Sequence, residues 1–356
     1  MNILVVCKLA NSTLKDNVLL PMLSSPVVDN IYVLRDFAGD YKDSRVHYIV
    51  PESPPKGYFR HIGRFFKGRK ALKQYGIGAI VGVLNKPHGY IGRFMSIFYG
   101  VPYVHMTIAG HREFWMNGHL MEYVNLKLLT SGKAITVTGS KTRDYLLKKN
   151  VAEDKIFILP NLPDSRFFSA EPLGVYSYDI VSFSRIDKNK NLILLVKALS
   201  ELKKRHKFKV AVAGDGDQLD NIKEAVSEFG LNEEVVFLGY ISDVKEKIDL
   251  LTRSKIFVSC SRGEGFPISL LEAMDCGCVP VVSDVGDITD VVESGKNGIV
   301  FTDTENECEL VGAFDRLLSD EALLKKMRDS SSECKRKFSL EANGRIWTSV
   351  FKKVVE

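Results

Sequence analysis

The chain has 356 residues, 45% of them hydrophobic and 26% charged, with a formal net charge of +5. This length allows two domains that each bury a core, and the apolar runs fall well short of the roughly 20 residues that a membrane-spanning helix needs. The apolar run after Met1 lacks a preceding basic segment and a small-residue cleavage site. We therefore expect a first buried strand in a cytoplasmic protein rather than a secretion signal.

Basic residues are concentrated in the first half of the chain. Residues 1–168 contain 23 Lys and Arg against 12 Asp and Glu, whereas the remainder contains 26 against 32. Residues 56–73 carry seven of these basic side chains, no acidic one, and several interleaved aromatic rings. Such a segment can lie on an anionic membrane surface, although an ordinary basic helix covering a sheet gives the same pattern. We expect no nucleic-acid partner, because no recognised reader motif accompanies the basic segment.

Short apolar runs rich in β-branched residues alternate with helix-length segments along the first half. They predict parallel strands that are joined by crossover helices. The predicted strands are 2–7, 31–34, 46–50, 79–84, 101–107, 134–138 and 155–160. Pro160 ends the last run, and the following stretch 161–176 has Pro, Gly and polar residues without a sustained period. This stretch predicts a link between two domains.

A second series of strands follows the link. The predicted strands are 179–184, 208–214, 234–239, 256–260, 279–284 and 298–301. Together the two series predict doubly wound α/β domains over 1–168 and 169–337. Residues 338–356 have apolar side chains near helical spacing and predict a closing amphipathic helix.

Two glutamates surround a predicted helix start after the strand at 256–260. Glu264 lies in a Gly-containing turn, and Glu272 lies about one and a half turns into the helix that Pro267 is expected to begin. Unpaired N–H groups and the helix dipole at such a start favour an anion such as a diphosphate. Carboxylates can accept hydrogen bonds from the hydroxyls of a ribose or a sugar. A surface helix with an acidic N-terminus is the simpler alternative.

The motif from Glu264 to Phe301 resembles the donor site of the retaining glycosyltransferases of family 4. The matching features are two glutamates separated by seven residues, a Gly-x-x-Pro-Val-Val strand, and a Gly-x-Asn-Gly turn. The resemblance implies the GT-B fold, with two Rossmann-like domains, a cleft between them, and a C-terminal helix that returns to the first domain. It implies that Glu264 contacts the donor sugar and that Glu272 contacts the ribose. The neighbouring residues expected to present their backbone to the donor are Gly265, Phe266, Pro267 and Ile268.

Further matches to this family lie upstream. Arg185 and Lys190 follow the strand at 179–184 and are expected to neutralise the donor diphosphate, with Lys188 as an alternative second cation. Residues 238–242 are the candidates for contacting the nucleotide base. The resemblance adds Gly214, Gly239 and Tyr240 to the donor site.

The first domain matches the family less closely. Many relatives have a histidine near the reacting centre, where this chain has Ala109. His111 is the nearby candidate for contacting the donor sugar or the acceptor, and it could instead only order its loop. His105 lies inside a predicted strand and is expected to be a packed core histidine.

We expect no metal or other cofactor. Asp215 and Asp217 form an Asp-x-Asp pattern, but they lie at a strand-to-helix turn, and Arg and Lys can neutralise a diphosphate without a metal. The six cysteines lack zinc-site spacing and are expected to be buried, reduced thiols.

The sequence therefore predicts a transferase that moves a sugar, expected from a UDP-linked donor, to a hydroxyl of a glycan or lipid-linked acceptor with retention of configuration. Cell-surface polysaccharide or glycoconjugate synthesis is the expected setting. The alternatives are a sugar-nucleotide epimerase of related architecture and a noncatalytic sugar-nucleotide binding protein. A peripheral position on the inner face of the cytoplasmic membrane would suit a lipid-linked acceptor.

Overall fold

The structure is a computed structural model that describes residues 1–50, 59–115, 118–170, 172–332 and 338–356. It divides into two compact units, residues 1–162 with 338–356, and residues 163–337. Within the described residues, no helix is both long and apolar enough to cross a membrane.

The first unit is built on a seven-stranded parallel sheet in the order β3-β2-β1-β4-β5-β6-β7. Its strands are β1 (Asn2–Val6), β2 (Asn30–Leu34), β3 (Val46–Ile49), β4 (Ile77–Val83), β5 (Tyr103–Met106), β6 (Ala134–Val137) and β7 (Ile156–Ile158). Its helices before the second unit are α1 (Asn11–Leu14), α2 (Leu20–Leu23), α3 (Phe59–Gln74), α4 (Tyr90–Tyr99), α5 (Arg112–Trp115), α6 (His119–Leu129) and α7 (Ser140–Lys148). The central strands are buried along nearly their whole length, as expected for a sheet covered by helices on both faces.

The second unit has a six-stranded parallel sheet in the order β10-β9-β8-β11-β12-β13. Its strands are β8 (Tyr178–Phe183), β9 (Val210–Ala213), β10 (Val235–Gly239), β11 (Ser254–Ser259), β12 (Val279–Ser283) and β13 (Ile299–Phe301). Its helices are α8 (Leu192–Leu202), α9 (Leu219–Glu228), α10 (Val244–Thr252), α11 (Ile268–Asp275), α12 (Cys308–Ser319) and α13 (Glu321–Ser332). In both sheets the strand order reverses beside the first strand of the unit, which confirms the two doubly wound domains predicted from sequence.

The last helix, α14 (Leu340–Val355), belongs to the first unit. Its buried side chains Trp347, Val350 and Phe351 join the core beneath the first sheet, and the rings of Trp347 and Phe351 stack at 5.1 Å. Asn343 Nδ2 also donates to the carbonyl of Pro160 (2.8 Å), near the end of the first segment of this unit. The amphipathic helix predicted for the C-terminal residues is therefore present, and it closes the core of the first unit.

Helix α7 begins at Ser140, with Gly139 at its cap position. The cysteines differ from the sequence prediction at one position. Cys308 is exposed, whereas Cys7, Cys260, Cys276 and Cys278 are buried as expected, and all five are free thiols. Cys334 lies outside the described residues.

Candidate functional site

The loops after β8, β9 and β10 are tied together by main-chain hydrogen bonds. Gly214 N donates to the carbonyl of Gly239 (2.8 Å), and Ile186 N donates to the carbonyl of Asp215 (2.9 Å). Gly214 has a φ of +148°, and a Cβ atom there would lie 1.8 Å from the carbonyl oxygen of Ser184. Only glycine fits this approach without moving the backbone, so the three strand ends form one closely packed surface.

A cavity of about 480 Å³ opens on this surface at the carboxyl ends of the strands. It is lined by Phe183, Ser184, Arg185, Asp187, Lys190, Gly214, Asp215, Tyr240, Ile241, Lys247 and Ser269. Four residues selected from the sequence, namely Arg185, Lys190, Gly214 and Tyr240, are thus brought together in one place. Ligands of doubly wound sheets bind at this edge, next to the point where the strand order reverses.

Lys190 connects the cavity to Glu264. Its Nζ donates to Glu264 Oε1, and Ser261 Oγ donates to the same oxygen at 2.7 Å. The side chains of Lys190 and Glu264 are only 18% and 15% exposed, so this ion pair is more strongly coupled than a typical surface pair. Lys190 therefore pairs with the Glu264 carboxylate and also lines the cavity, so its ammonium group can bind a phosphate there.

The backbone reinforces this connection between the loops after β8 and β11. Asn189 Nδ2 donates to the carbonyl of Gly263 (2.7 Å), and Arg262 N donates to the carbonyl of Asn189 (2.8 Å). The carboxylate of Asp187 accepts from the N–H groups of Asn189 (3.0 Å) and Lys190 (3.1 Å). The turn that carries Lys190 is consequently held in shape before any ligand arrives.

The loop containing Glu264 is supported from the end of β12. Ser283 Oγ donates to the carbonyl of Ser261 (2.6 Å), and Asp287 N donates to the carbonyl of Gly265 (2.8 Å). Gly286 has a φ of +57°, and a Cβ there would lie 2.4 Å from the carbonyl oxygens of both Glu264 and Gly265. The close approach of these two loops therefore requires glycine at position 286.

Helix α11 follows this loop. It begins at Ile268, one residue later than predicted from sequence, and Pro267 occupies the cap position with a φ of −73°. Pro267 makes no side-chain cap, so it does not satisfy the N–H groups of the first turn through its side chain. Ser269 in this turn lines the cavity, which places the start of the helix beside Arg185 and Lys190.

The remaining donor-site candidates lie outside the cavity lining. Gly265, Phe266 and Glu272 are buried, and Glu272 is the fifth residue of α11 with 9% exposure. Pro267 and Ile268 are partly buried, and Gly239 contributes through its hydrogen bond to Gly214. Glu264 is connected to the cavity by its ion pair with Lys190. The predicted contact of Glu272 with the ribose stays a prediction.

Two contributions to the cavity were missed in the sequence. Lys247 Nζ lies 5.3 Å from the ring centroid of Phe183, and both side chains line the cavity. This contact joins the end of β8 to helix α10. It could not be predicted from the sequence, because it depends on the sheet order, which places β10 two strands from β8. Lys188, the alternative second cation, is exposed and does not line the cavity.

His111 belongs to the first unit, in the loop after β5. Its ring is tilted by 34° against that of Tyr145, with the centroids 5.3 Å apart. His105 is fully buried, as expected, and its ring nitrogens lie 3.1 Å from Tyr103 Oη and 3.1 Å from Asn85 Oδ1. Burial lowers the pKa of His105 to about 3, so it is a neutral core residue.

Glu113 organises the loop that contains Ala109, and the sequence did not single it out. Its Oε1 accepts from the N–H groups of Ile108 (2.7 Å) and Ala109 (2.6 Å), while its buried Oε2 has no hydrogen-bond partner among the described residues. Burial raises the pKa of Glu113 to about 7, although the two N–H donors act in the opposite direction. The backbone at Ala109, where many relatives of the resembled family carry histidine, is thus fixed by a carboxyl group four residues downstream.

No group of three or more His, Cys, Asp or Glu side chains suited to a metal ion occurs in the part of the chain that the structure describes. At the Asp-x-Asp pattern, Asp215 Oδ1 accepts from Gly216 N (2.7 Å), and Asp215 lines the cavity.

The family model "Glycosyl transferases group 1" matches residues 165–334, nearly the whole second unit. An uncharacterized glycosyltransferase of Methanocaldococcus jannaschii is 30% identical over 216 residues, which are 57% of this chain and 54% of that protein. The chain thus spans about half the length of this relative. The poly(glycerol-phosphate) alpha-glucosyltransferase of Bacillus subtilis is 26% identical over 267 residues, which are 73% of this chain and 38% of that protein.

A third relative aligns over most of both chains. It is the N-acetylgalactosamine-N,N'-diacetylbacillosaminyl-diphospho-undecaprenol 4-alpha-N-acetylgalactosaminyltransferase of Campylobacter jejuni, 23% identical over 88% of each chain. Among solved structures, Anabaena HepE in complex with UDP superposes with a TM-score of 0.76 at 17% identity and covers 97% of both chains. This structural likeness shows the fold, which is the two-unit GT-B fold.

Proposed function

We propose that this chain, whose second unit belongs to the glycosyl transferases group 1, moves a sugar from a nucleotide diphosphate donor to a hydroxyl of a glycan or lipid-linked glycan. The observation that carries the proposal is the cluster in which Lys190 lines a strand-end cavity and is held by Glu264. Arg185 lies in the same cavity. Two cations beside a helix start suit the leaving diphosphate of such a donor.

The donor is proposed to be UDP-linked, and the transfer to retain the anomeric configuration. The UDP complex of Anabaena HepE supports the first statement, and the resemblance to family 4 supports the second. The residues proposed to contact the donor are Arg185, Lys190, Glu264, Gly265, Phe266, Pro267, Ile268, Glu272, Gly214, Gly239 and Tyr240. His111 is the proposed contact from the first unit.

The proposed reaction needs no side-chain nucleophile. The acceptor oxygen bonds to the anomeric carbon while the bond from that carbon to the phosphate oxygen breaks. The proton of the acceptor hydroxyl passes to the departing phosphate oxygen on the same face of the sugar. Arg185 and Lys190 stabilise the negative charge that develops on this phosphate, so neither a metal nor a resident cofactor enters the proposal.

A lipid-linked acceptor would place the enzyme at the inner face of the cytoplasmic membrane. The name of the Campylobacter jejuni relative specifies a diphospho-undecaprenol substrate, which supports this acceptor class. The basic segment 56–73 is the proposed contact with anionic lipid, and its residues 56–58 lie outside the described residues.

A panel of nucleotide sugars, measured by thermal shift, tests the donor. A matching donor should raise the melting temperature, since a ligand that binds only the folded state stabilises it by mass action. With that donor, a candidate glycan acceptor should accelerate release of the nucleoside diphosphate in wild type. Arg185→Ala and Lys190→Ala should reduce this release about 100-fold, the size expected for losing one stabilising group at a developing charge.

Lys188→Ala is the matched control, because Lys188 is a neighbouring lysine outside the cavity lining. It should leave the release rate within about twofold of wild type, in the range of surface substitutions. Conversion of the donor to an epimer without acceptor would overturn the transferase proposal in favour of an epimerase. Donor binding without turnover across a broad acceptor panel would overturn it in favour of a binding protein.

A further inference from the structure

Helices α3 and α4 of the first unit expose a continuous apolar surface. On α4 the exposed side chains Phe94, Ile97 and Phe98 are 46%, 54% and 72% accessible. Their spacing of three and four residues places them on one face of the helix, next to the stripe of Ile91 and Met95 that enters the core. The exposed aromatic and aliphatic groups of α4 are therefore not scattered over the surface.

The neighbouring helix α3 extends this surface. Ile62 and Phe66 are 53% and 58% exposed and lie four residues apart. The half-buried Phe65 ring joins the two helices, because it contacts Phe66 edge-on at 6.4 Å and Phe98 edge-on at 5.9 Å. An exposed patch that runs across two packed helices is larger than isolated surface hydrophobics and marks an interaction surface.

Basic side chains continue along the exposed face of α3. Arg69, Lys70 and Lys73 follow Phe66 at intervals that keep them on the same side of the helix, and all three are exposed. Neither α3 nor α4 contains an aspartate or a glutamate in its sequence. The surface thus combines bulky apolar groups with positive charge that no acid of these two helices neutralises.

We infer that this α3–α4 surface docks on an anionic lipid bilayer, with Phe94, Ile97 and Phe98 entering the boundary between headgroups and acyl chains. Basic groups beside aromatic and aliphatic ones are the combination that binds anionic membranes peripherally. A second copy of the chain fits less well, because a two-fold contact would bring the two basic α3 faces together. The inference rests on the peripheral location stated under the proposed function and makes it more specific. It adds an apolar contact through α4, which lies outside the basic segment 56–73.

The test is flotation of the full chain with vesicles of phosphatidylcholine alone or mixed with phosphatidylglycerol. Wild type should float with the anionic vesicles only, and less so at high salt because screening weakens the attraction. Phe94→Ser/Phe98→Ser should lower vesicle binding about tenfold or more, since it removes the inserted apolar area. Arg69→Glu/Lys70→Glu should do the same by reversing charge.

Each variant has a matched control in the second unit. Phe229→Ser/Val236→Ser removes two side chains that are each 41% exposed, and Lys325→Glu/Lys326→Glu reverses two adjacent exposed lysines of α13. Both controls should bind vesicles like wild type. Circular dichroism melting of every variant checks the fold, and the charge pair tests the surface even if the phenylalanine variant unfolds.

Four results would overturn the inference. They are no flotation of wild type, unchanged flotation of either surface variant, equal loss in a control, and a concentration-dependent dimer that the phenylalanine variant abolishes. Vesicle binding requires no nucleotide sugar, so its outcome is separate from that of the transferase proposal. All four variants should keep the thermal shift that wild type shows with its donor. Absence of a shift in wild type itself, with vesicle binding intact, would count against the proposed function only.

Discussion

Protonation of Glu113 should make the stability of the first unit depend on pH. Burial raises the pKa of this carboxyl group from 4.5 to about 7, so the folded state keeps a proton that the unfolded state releases between these pH values. The stability that this group contributes is therefore fully present below pH 4.5 and is lost as pH rises to about 7, because folding then requires either a bound proton or a buried charge. At about 1.4 kcal/mol per pH unit, the loss between pH 4.5 and 8 is about 3 kcal/mol.

The variant Glu113→Gln removes the charge and retains the amide oxygen that can accept from Ile108 and Ala109. Its free energy of unfolding minus that of wild type should rise by about 3 kcal/mol from pH 4.5 to pH 8. Both tryptophans, Trp115 and Trp347, belong to the first unit, so denaturant unfolding followed by tryptophan fluorescence reports on that unit. A difference between the two proteins that stays constant over this pH range would refute the reasoning.

Two further predictions concern packing. Gly214→Ala should destabilise the second unit and abolish the thermal shift by the donor, because its Cβ would meet the carbonyl oxygen of Ser184. Gly230→Ala is the control, since Gly230 has a φ of +65° and open space around its Cβ position. It should cost only the roughly 1–2 kcal/mol of a left-handed residue. Equal destabilisation of the second unit by the two alanines would show that the positive φ alone sets the cost, and not the contact with Ser184. Trp347→Ala should destabilise the first unit by about 3–5 kcal/mol, since the ring is fully buried. Circular dichroism melting measures this loss, and a melting temperature equal to that of wild type would contradict the packing of α14.

Strand positions were accessible from sequence because buried parallel strands are short runs of apolar, β-branched residues between helix-length segments. All thirteen predicted strands are present, and their ends shift by no more than two residues. The strand-end loops that line the cavity could also be located, since doubly wound sheets place ligands there. Residue-level details of caps, such as Pro267 and Gly139, depend on a single dihedral angle that no periodicity encodes.

Contacts between distant segments could not be read from the sequence. Lys190 and Glu264 are 74 residues apart, and their pairing depends on β8 and β11 being neighbours in the sheet. Glu113 was missed for a different reason. A glutamate in a short polar stretch is ordinarily solvated, and only the packing of the loop shows that this one is buried.

The apolar face of α4 has a similar explanation. The sequence of Tyr90–Tyr99 is apolar on most sides, so it indicates a buried helix. Only the structure shows that no element of the described chain covers Phe94 and Phe98, which remain exposed.

Calorimetric titration of UDP and GDP into wild type, Lys190→Ala and Lys188→Ala tests most directly whether the cavity of the second unit holds a nucleoside diphosphate. We expect at least one of the two nucleotides to bind wild type. Lys190→Ala should weaken this binding by about tenfold or more, the value of a hydrogen bond to a charged group, whereas Lys188→Ala should bind as wild type does. Equal affinity of wild type and Lys190→Ala, or an equal loss in the two variants, would contradict the assignment of this cavity to the donor diphosphate.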